Sequence, residues 1–327
     1  MKSKATWRWW CWLFAFPAMA LADEGVTGSV VGFRPLLEKH SRQTFDAVAK
    51  YVTEHPQADD AEQAFPWLFE TATTHGWEAD SLKLAESYLQ RMGSPAATRL
   101  AAQQVFAVGS IRVNRVSEGV AAFESHLASS RFQINFRTLD FAHAVSAEAR
   151  IAGDLPAARS VYQKLSTLPL INPAISEIAE GRLGRLELFG QPAPQPIVAD
   201  LDGKAVSWDD YRGKVLVLDF WGTNCPPCLA EFPEMKRLYR DFHDRGLEVL
   251  GISFDETPGI VEHFLSRPEQ KLPWRIAMNE TPNGKASQRF RVQTIPALFV
   301  VDRDGKIAQV DVYGRNLRRT VERLLEK

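Results

Sequence analysis

Two cysteines, Cys225 and Cys228, lie three positions apart with only prolines between them. At this spacing the two sulfurs can close a small disulfide ring. One thiolate can then attack a foreign disulfide, and the other thiol can resolve the mixed disulfide that forms. The flanking residues set this chemistry up. Val215 to Phe220 is a short apolar run that reads as a buried strand. Beyond the cysteines, Phe232, Met235, Leu238, Tyr239 and Phe242 recur at helical spacing. Cys225 therefore falls just ahead of a first helical turn, where unpaired N–H groups and the helix dipole favour an anion and a thiol ionises more readily. Pro226 suits the first helical position, whose N–H has no partner in the helix. The pair Pro226-Pro227 also removes two amide donors near the thiolate, which alters its redox poise. One cysteine pair cannot complete a four-cysteine zinc site, and His243, the nearest histidine, stands at the far end of the helix. The redox reading is preferred to a zinc site or a structural disulfide.

The chain has 327 residues, 45% of them hydrophobic, and a net charge of −1, which fits a globular protein of two domains. Lys and Arg are dispersed along it, so nothing points to nucleic acid. Met1–Ala22 reads as a secretory signal peptide: a positive start, an apolar run from Trp9 to Leu21 and a small-x-small cleavage site at Ala20–Ala22. The alternative, an uncleaved membrane anchor, needs about 20 apolar residues and the run is shorter. Cys11 leaves with the leader, so the mature chain holds only Cys225 and Cys228. The expected location is the periplasm or another extracytoplasmic space.

The stretch Asp219–Cys228, DFWGTNCPPC, resembles the active site of the thioredoxin superfamily, and the pattern Cys225-x-x-Cys228-x-x-Glu231-x-Pro233 resembles its extracytoplasmic TlpA/ResA-type branch. The resemblance covers residues 190–327 and implies an α/β thioredoxin-like domain, with exchange of disulfides with protein thiols and no bound metal or cofactor. It implies a cis-proline loop at Thr294-Ile295-Pro296, with Ile295, Pro296, Trp221 and Asn224 against the substrate. Asp219 ends the apolar strand, and a carboxyl buried there without a counter-charge has a raised pKa. It matches the buried Asp of thioredoxins and can take the proton of Cys228. Glu231 matches the Glu of the TlpA/ResA-type branch; its other reading is a solvated first-turn carboxylate. Gly222, Asn224 and Ala297 depart from the family's usual residues and put its substrate preference in doubt.

Residues 23–189 carry helix-length segments separated by Gly, Pro or Asp. Fragments around Ala149–Tyr162, Val113–Leu127 and His75–Leu89 resemble tetratricopeptide-type helical hairpins. Such a half either binds a partner in a groove or packs against its neighbour or a second copy. Its five histidines (His40, His55, His75, His126 and His143) read as surface or packing residues, and Trp67 and Trp77 as core. Three prolines mark residues 190–196 as an extended linker, and 197–327 follow as the thioredoxin-like domain. The combined reading is an exported thiol–disulfide oxidoreductase working as a reductase, supplied with electrons from the membrane. The rivals are a helical scaffold with an inert disulfide and a thiol peroxidase. The peroxidase signature is missing, since Gly222 and Leu218 hold its Thr/Ser and Pro positions.

Overall fold

The computed structural model describes residues 33–56, 58, 60–130, 134–168, 172–196, 198–282 and 284–326. The leader expected over Met1–Ala22 lies outside the described residues. Ala49–Lys327 form one compact unit. Among the described residues no helix is long and apolar enough to cross a membrane.

Eight helices come first among the described residues: α1 (Phe33–Glu54), α2 (Ala61–His75), α3 (Leu82–Leu89), α4 (Ala96–Arg112), α5 (Val116–Ser129), α6 (Phe136–Ile151), α7 (Leu155–Ser166) and α8 (Pro173–Leu186). Their ends follow local chemistry. The side chains of Asn135, Asp154 and Asn172 accept first-turn N–H groups of α6, α7 and α8. Gly76 stops α2 at φ 73°, a conformation glycine adopts at no steric cost. α4 packs on α5, α6 on α7 and α7 on α8, while α2, α4, α6 and α8 adjoin one another as an inner row. The close approach depends on small residues: a Cβ added to Gly119 of α5 would stand 2.5 Å from the Ala107 carbonyl oxygen of α4. One expectation needs correcting. Trp67 is 40% exposed, because it lies on the outer side of α2, whose buried residues are Ala61, Phe65, Leu68, Phe69 and Ala72.

The second half runs β1 (Ala199–Asp200), β2 (Val215–Trp221), α9 (Pro226–Phe242), β3 (Leu247–Ser253), α10 (Pro258–Leu265), β4 (Arg275–Met278), β5 (Glu280–Thr281), β6 (Gly284–Lys285), α11 (Ala286–Arg289), β7 (Ala297–Val301), β8 (Ile307–Val310) and α12 (Gly314–Leu325). The main sheet has the order β1-β4-β3-β2-β7-β8, with β2 parallel to β3 and antiparallel to β7; β5 and β6 form a separate ribbon. β2 and β7 are buried throughout, which is why they read as unbroken apolar runs. α11 is a single turn, Ala286–Arg289, because Gly284 and Lys285 just before it pair with β5.

Alternation along β2 decides what faces the cysteines. Leu216, Leu218 and Phe220 join a core that continues into the helical half through Phe141, Val145 and Leu165. Val215, Val217 and Trp221 point to the other face, under α9 and α12. Asp219 shares the parity of this second set. The segment between the halves is extended and hydrogen-bonded to the rim of β8. Gly190 N–H donates to Ile307 O, Ile307 N–H to Gln191 O, and Ala193 N–H to Gly305 O, each at 2.8 Å.

Buried polar contacts hold the seam between the halves. Arg150 of α6 donates to Gln309 Oε1 at 2.6 Å and to the Val310 carbonyl. Arg185 of α8 donates to Asp311 Oδ2 at 2.9 Å. Asn316 of α12 donates to Glu148 Oε1 at 3.1 Å, and Glu148 also pairs with Arg112.

Candidate active site

Cys225 and Cys228 form a disulfide. Cys225 is the N-cap of α9, and the Cys228 N–H donates to its Sγ at 3.3 Å. Because Pro226 and Pro227 bring no N–H, Cys228 supplies the first amide of the helix, and it is aimed at Cys225 sulfur. In the reduced state that amide and the helix dipole stabilise a Cys225 thiolate. The two cysteines are 8% and 2% exposed, so Cys225 is the more accessible of the pair.

The loop before Cys225 is tied down from β3. Asp255 accepts the Thr223 N–H at 3.0 Å and the Thr223 hydroxyl at 2.6 Å, and the Ser253 hydroxyl donates to it at 2.7 Å. Asp255 was not among the residues expected at the site; only its place just past a strand hinted at a role.

Asp219 is 5% exposed, and its Oδ2 is buried without a hydrogen-bond partner. Burial first, and the neighbouring Glu231 second, push its pKa up to about 7. Glu231 on α9 is itself raised: burial outweighs a backbone N–H of Gly314 that stabilises its charge, and Glu234 adds to the rise. Two carboxyls on the cysteine face thus hold protons more tightly than usual, and Asp219 does so around neutral pH.

The Ile295–Pro296 peptide bond is cis. Ile295 packs into both cores. A Cβ on Gly222 would stand 3.2 Å from Ile295 Cδ1, so the smallest residue fits the position beneath this side chain. The Tyr313 hydroxyl donates to the Pro296 carbonyl at 3.3 Å.

The residues singled out for substrate contact divide into two groups. Asn224 is exposed, and Ile295 and Pro296 are partly exposed. Trp221 is a correction: it is fully buried, with its ring 5.1 Å from Phe232 and 5.8 Å from Phe264. Its parity on β2 turns it into the α9 core, where it supports the dithiol from below and meets no substrate.

A cavity of 420 Å³ opens beside the dithiol turn. On one side it has Pro227, Glu231, Pro296 and Tyr313; on the other, Val108 and Arg112 of α4, His143 and Ala147 of α6 and Arg182 of α8. The spacing of four within α4 and within α6 puts each pair on one helix face. The inner row of the helical stack is therefore turned toward the dithiol. His143, read as a surface or packing residue, is a wall residue here. Burial and then Arg182 keep it well below the usual histidine pKa, so it is neutral. Its ring lies 5.6 Å from that of Tyr313.

Comparison of the sequence with known proteins points to the same chemistry. The sequence profile of the AhpC/TSA family matches residues 189–310. Thiol-disulfide oxidoreductase ResA of Bacillus thuringiensis subsp. konkukian is 34% identical over 139 residues, which is 42% of this chain and 78% of that protein. The chain belongs to the ResA-type thiol–disulfide oxidoreductases. The ResA protein of Halalkalibacterium halodurans is 27% identical over 171 residues, covering 50% of this chain and 93% of the relative. The solution structure of a thiol:disulfide interchange protein from Bacteroides sp. overlays with a TM-score of 0.38 at 27% identity, over 42% of this chain and 91% of the other. The ResA-type relationship thus rests on the second half, with its mixed sheet and dithiol helix, and makes the protein a thiol–disulfide oxidoreductase. The helical wall around the cavity lies largely outside these matches.

Proposed function

We propose that the protein is an exported disulfide reductase acting through Cys225 and Cys228. Thiolate Cys225 attacks a client disulfide sulfur, and the client's first thiolate leaves. Cys228 then attacks the Cys225 sulfur, releases the second client thiolate and closes the enzyme disulfide. Two electrons pass to the client, and the enzyme must be re-reduced by a donor, which for an exported protein draws on the membrane. The Cys228 thiol loses its proton as it attacks. Asp219, whose carboxyl senses that of Glu231 on the cavity wall, is the group proposed to accept it.

The observation that carries this reading is Asp219, on the face of β2 that packs with both cysteines, its Oδ2 buried without a hydrogen-bond partner and its pKa near that of a working base. A structural disulfide has no use for such a group. The scaffold alternative also loses support, because the inner helix row that would hold a partner faces the dithiol instead. Export rests on the leader-like Met1–Ala22.

The test is the reduction potential of the Cys225–Cys228 couple against glutathione or dithiothreitol. A value near or below about −250 mV fits a reductase, and one near about −120 mV would make the protein an oxidant or isomerase. A pair that fails to equilibrate at all would remove the oxidoreductase reading.

A further inference from the structure

The seam beside the cavity is unbalanced in charge. Arg150, Arg182 and Arg185 converge there on one buried carboxylate, Asp311. Arg150 is satisfied by Gln309 and the Val310 carbonyl, and Arg185 donates its Nε–H to Asp311, with its Nη1 left unpartnered away from the cavity lining. What sets Arg182 apart is its place on the cavity wall: the charge of Asp311 and the Tyr162 hydroxyl act on it from behind, and its Nη1, buried like that of Arg185, has no hydrogen-bond partner. The other charged groups on the cavity wall leave this nitrogen without an acceptor. Arg112 is held by Glu78 and Glu148 on the far side, Arg315 donates to the Thr74 carbonyl, Glu231 takes the Gly314 N–H, and Asp140, exposed at the edge, feels the Arg182 charge without a hydrogen bond to it. His143 is neutral, and the Tyr162 and Tyr313 phenols are kept protonated, chiefly by burial. A buried guanidinium N–H without an acceptor costs stability, and a carboxylate oxygen is the group that best relieves it.

The same cavity has Pro227, from between the cysteines, and Pro296, of the cis-proline loop, on its wall. A disulfide held against Cys225, past Pro227 and Pro296, would extend a neighbouring group into this cavity, whose other wall carries Arg182. A volume of 420 Å³ lies in the range of small-ligand sites and admits a few residues of extended chain, not a folded domain.

We propose that this cavity is the client site and that it selects a disulfide flanked by a carboxylate, carried on a short extended peptide, with Arg182 binding the carboxylate. This rests on the oxidoreductase reading above and names its substrate class. The source is either a segment of unfolded polypeptide or a low-mass peptide disulfide such as oxidised glutathione.

Single-turnover stopped flow with the pre-reduced mature protein tests it. The probes are two pentapeptides whose single cysteine is joined by a disulfide to 2-mercaptoethanol, identical except for Glu or Gln beside the cysteine. Each turnover yields the enzyme disulfide, free peptide thiol and 2-mercaptoethanol. The Glu peptide is expected to react about tenfold faster at low concentration than the Gln peptide. Arg182→Met brings that ratio close to one, and Arg182→Lys retains part of it. A ratio near one in the wild-type protein, or a tenfold ratio that survives Arg182→Met, overturns the proposal. Oxidised glutathione separates the sources: Arg182-dependent reduction as fast as that of the Glu peptide assigns the low-mass disulfide, and slower reduction assigns the polypeptide. Bis(2-hydroxyethyl) disulfide, which has no carboxylate, is the control. If the wild-type protein fails to reduce it, the oxidoreductase reading falls; if only the peptide discrimination is missing, the client assignment falls alone.

Discussion

Asp219 and Asp311 are both buried in the second half of the chain, yet they are opposite in charge state. Asp311, at the seam, accepts a hydrogen bond from Arg185. Burial alone would raise its pKa, but Arg185 and Arg182 outweigh that and hold it below the ordinary carboxylate value. Asp219, under the dithiol, has no cation, and its pKa rises to about 7. One residue type thus serves two purposes according to what is placed beside it. An aspartate with an arginine is a permanent anion and works as a fastener. An aspartate without one is a proton carrier, at a cost in stability that the rest of the fold offsets.

Cys225→Ser should abolish disulfide exchange while leaving the seam intact, so its unfolding midpoint should match that of the reduced wild-type protein; residual exchange would sink the assignment of the attacking thiol. Asp311→Ala leaves Arg185 buried and unpaired and should cost about 3–5 kcal/mol in urea unfolding. A loss near zero would mean that the seam is held by its apolar core alone.

The two aspartates also predict opposite pH slopes. Asp219 binds its proton more tightly folded than unfolded, so the stability it contributes is full below about pH 4 and is lost as pH rises through about 7. The range is on the order of 4 kcal/mol. Asp311, depressed in the fold, contributes above its unfolded value and loses that contribution as pH falls through its folded one. Urea titrations of the oxidised protein at pH 5 and pH 8 should show the first slope in the wild-type protein and not in Asp219→Asn. Kinetically, Asp219→Asn should slow resolution of the mixed disulfide about a hundredfold near neutral pH and remove the inflection near pH 7. A quenched-flow profile that keeps its inflection would move the role to Glu231. The smallest expected effect is that of Gly222→Ala, about 1 kcal/mol, from crowding Ile295; Ile295→Val in the same chain should relieve it.

What could be read in advance follows from how far apart the interacting residues lie in the chain. The strand, the dithiol turn and the helix around Cys225 and Cys228 are contiguous, and their periodicity is visible in any local window. Asp219 was legible for the same reason, since parity on one strand places it under the cysteines. The β4 strand was missed because Arg275–Met278 is four residues long and shows no alternation. The seam was out of reach: Arg150 and Gln309 are 159 positions apart, and Arg185 and Asp311 are 126 apart. An arginine in an alanine-rich helix looks solvated until its partner is known. The cavity wall was hidden likewise, because nothing in the periodicity of α4, α6 and α8 says that their shared face meets the dithiol. Trp221 shows the reverse hazard, where a residue beside the motif was assigned to substrate and its strand parity sends it inward.

The backbone pairing of Gly190, Gln191 and Ala193 with the rim of β8 bears on how the molecule can be cut. A fragment beginning at residue 197 would look like a complete oxidoreductase by its catalytic residues. It would also present the outer backbone of β8 unpaired and the Leu216–Leu218–Phe220 face of the sheet uncovered, both of them templates for self-association. The smallest well-behaved catalytic fragment should therefore start before Gly190, and even then it would carry a bare apolar face that only the helices cover.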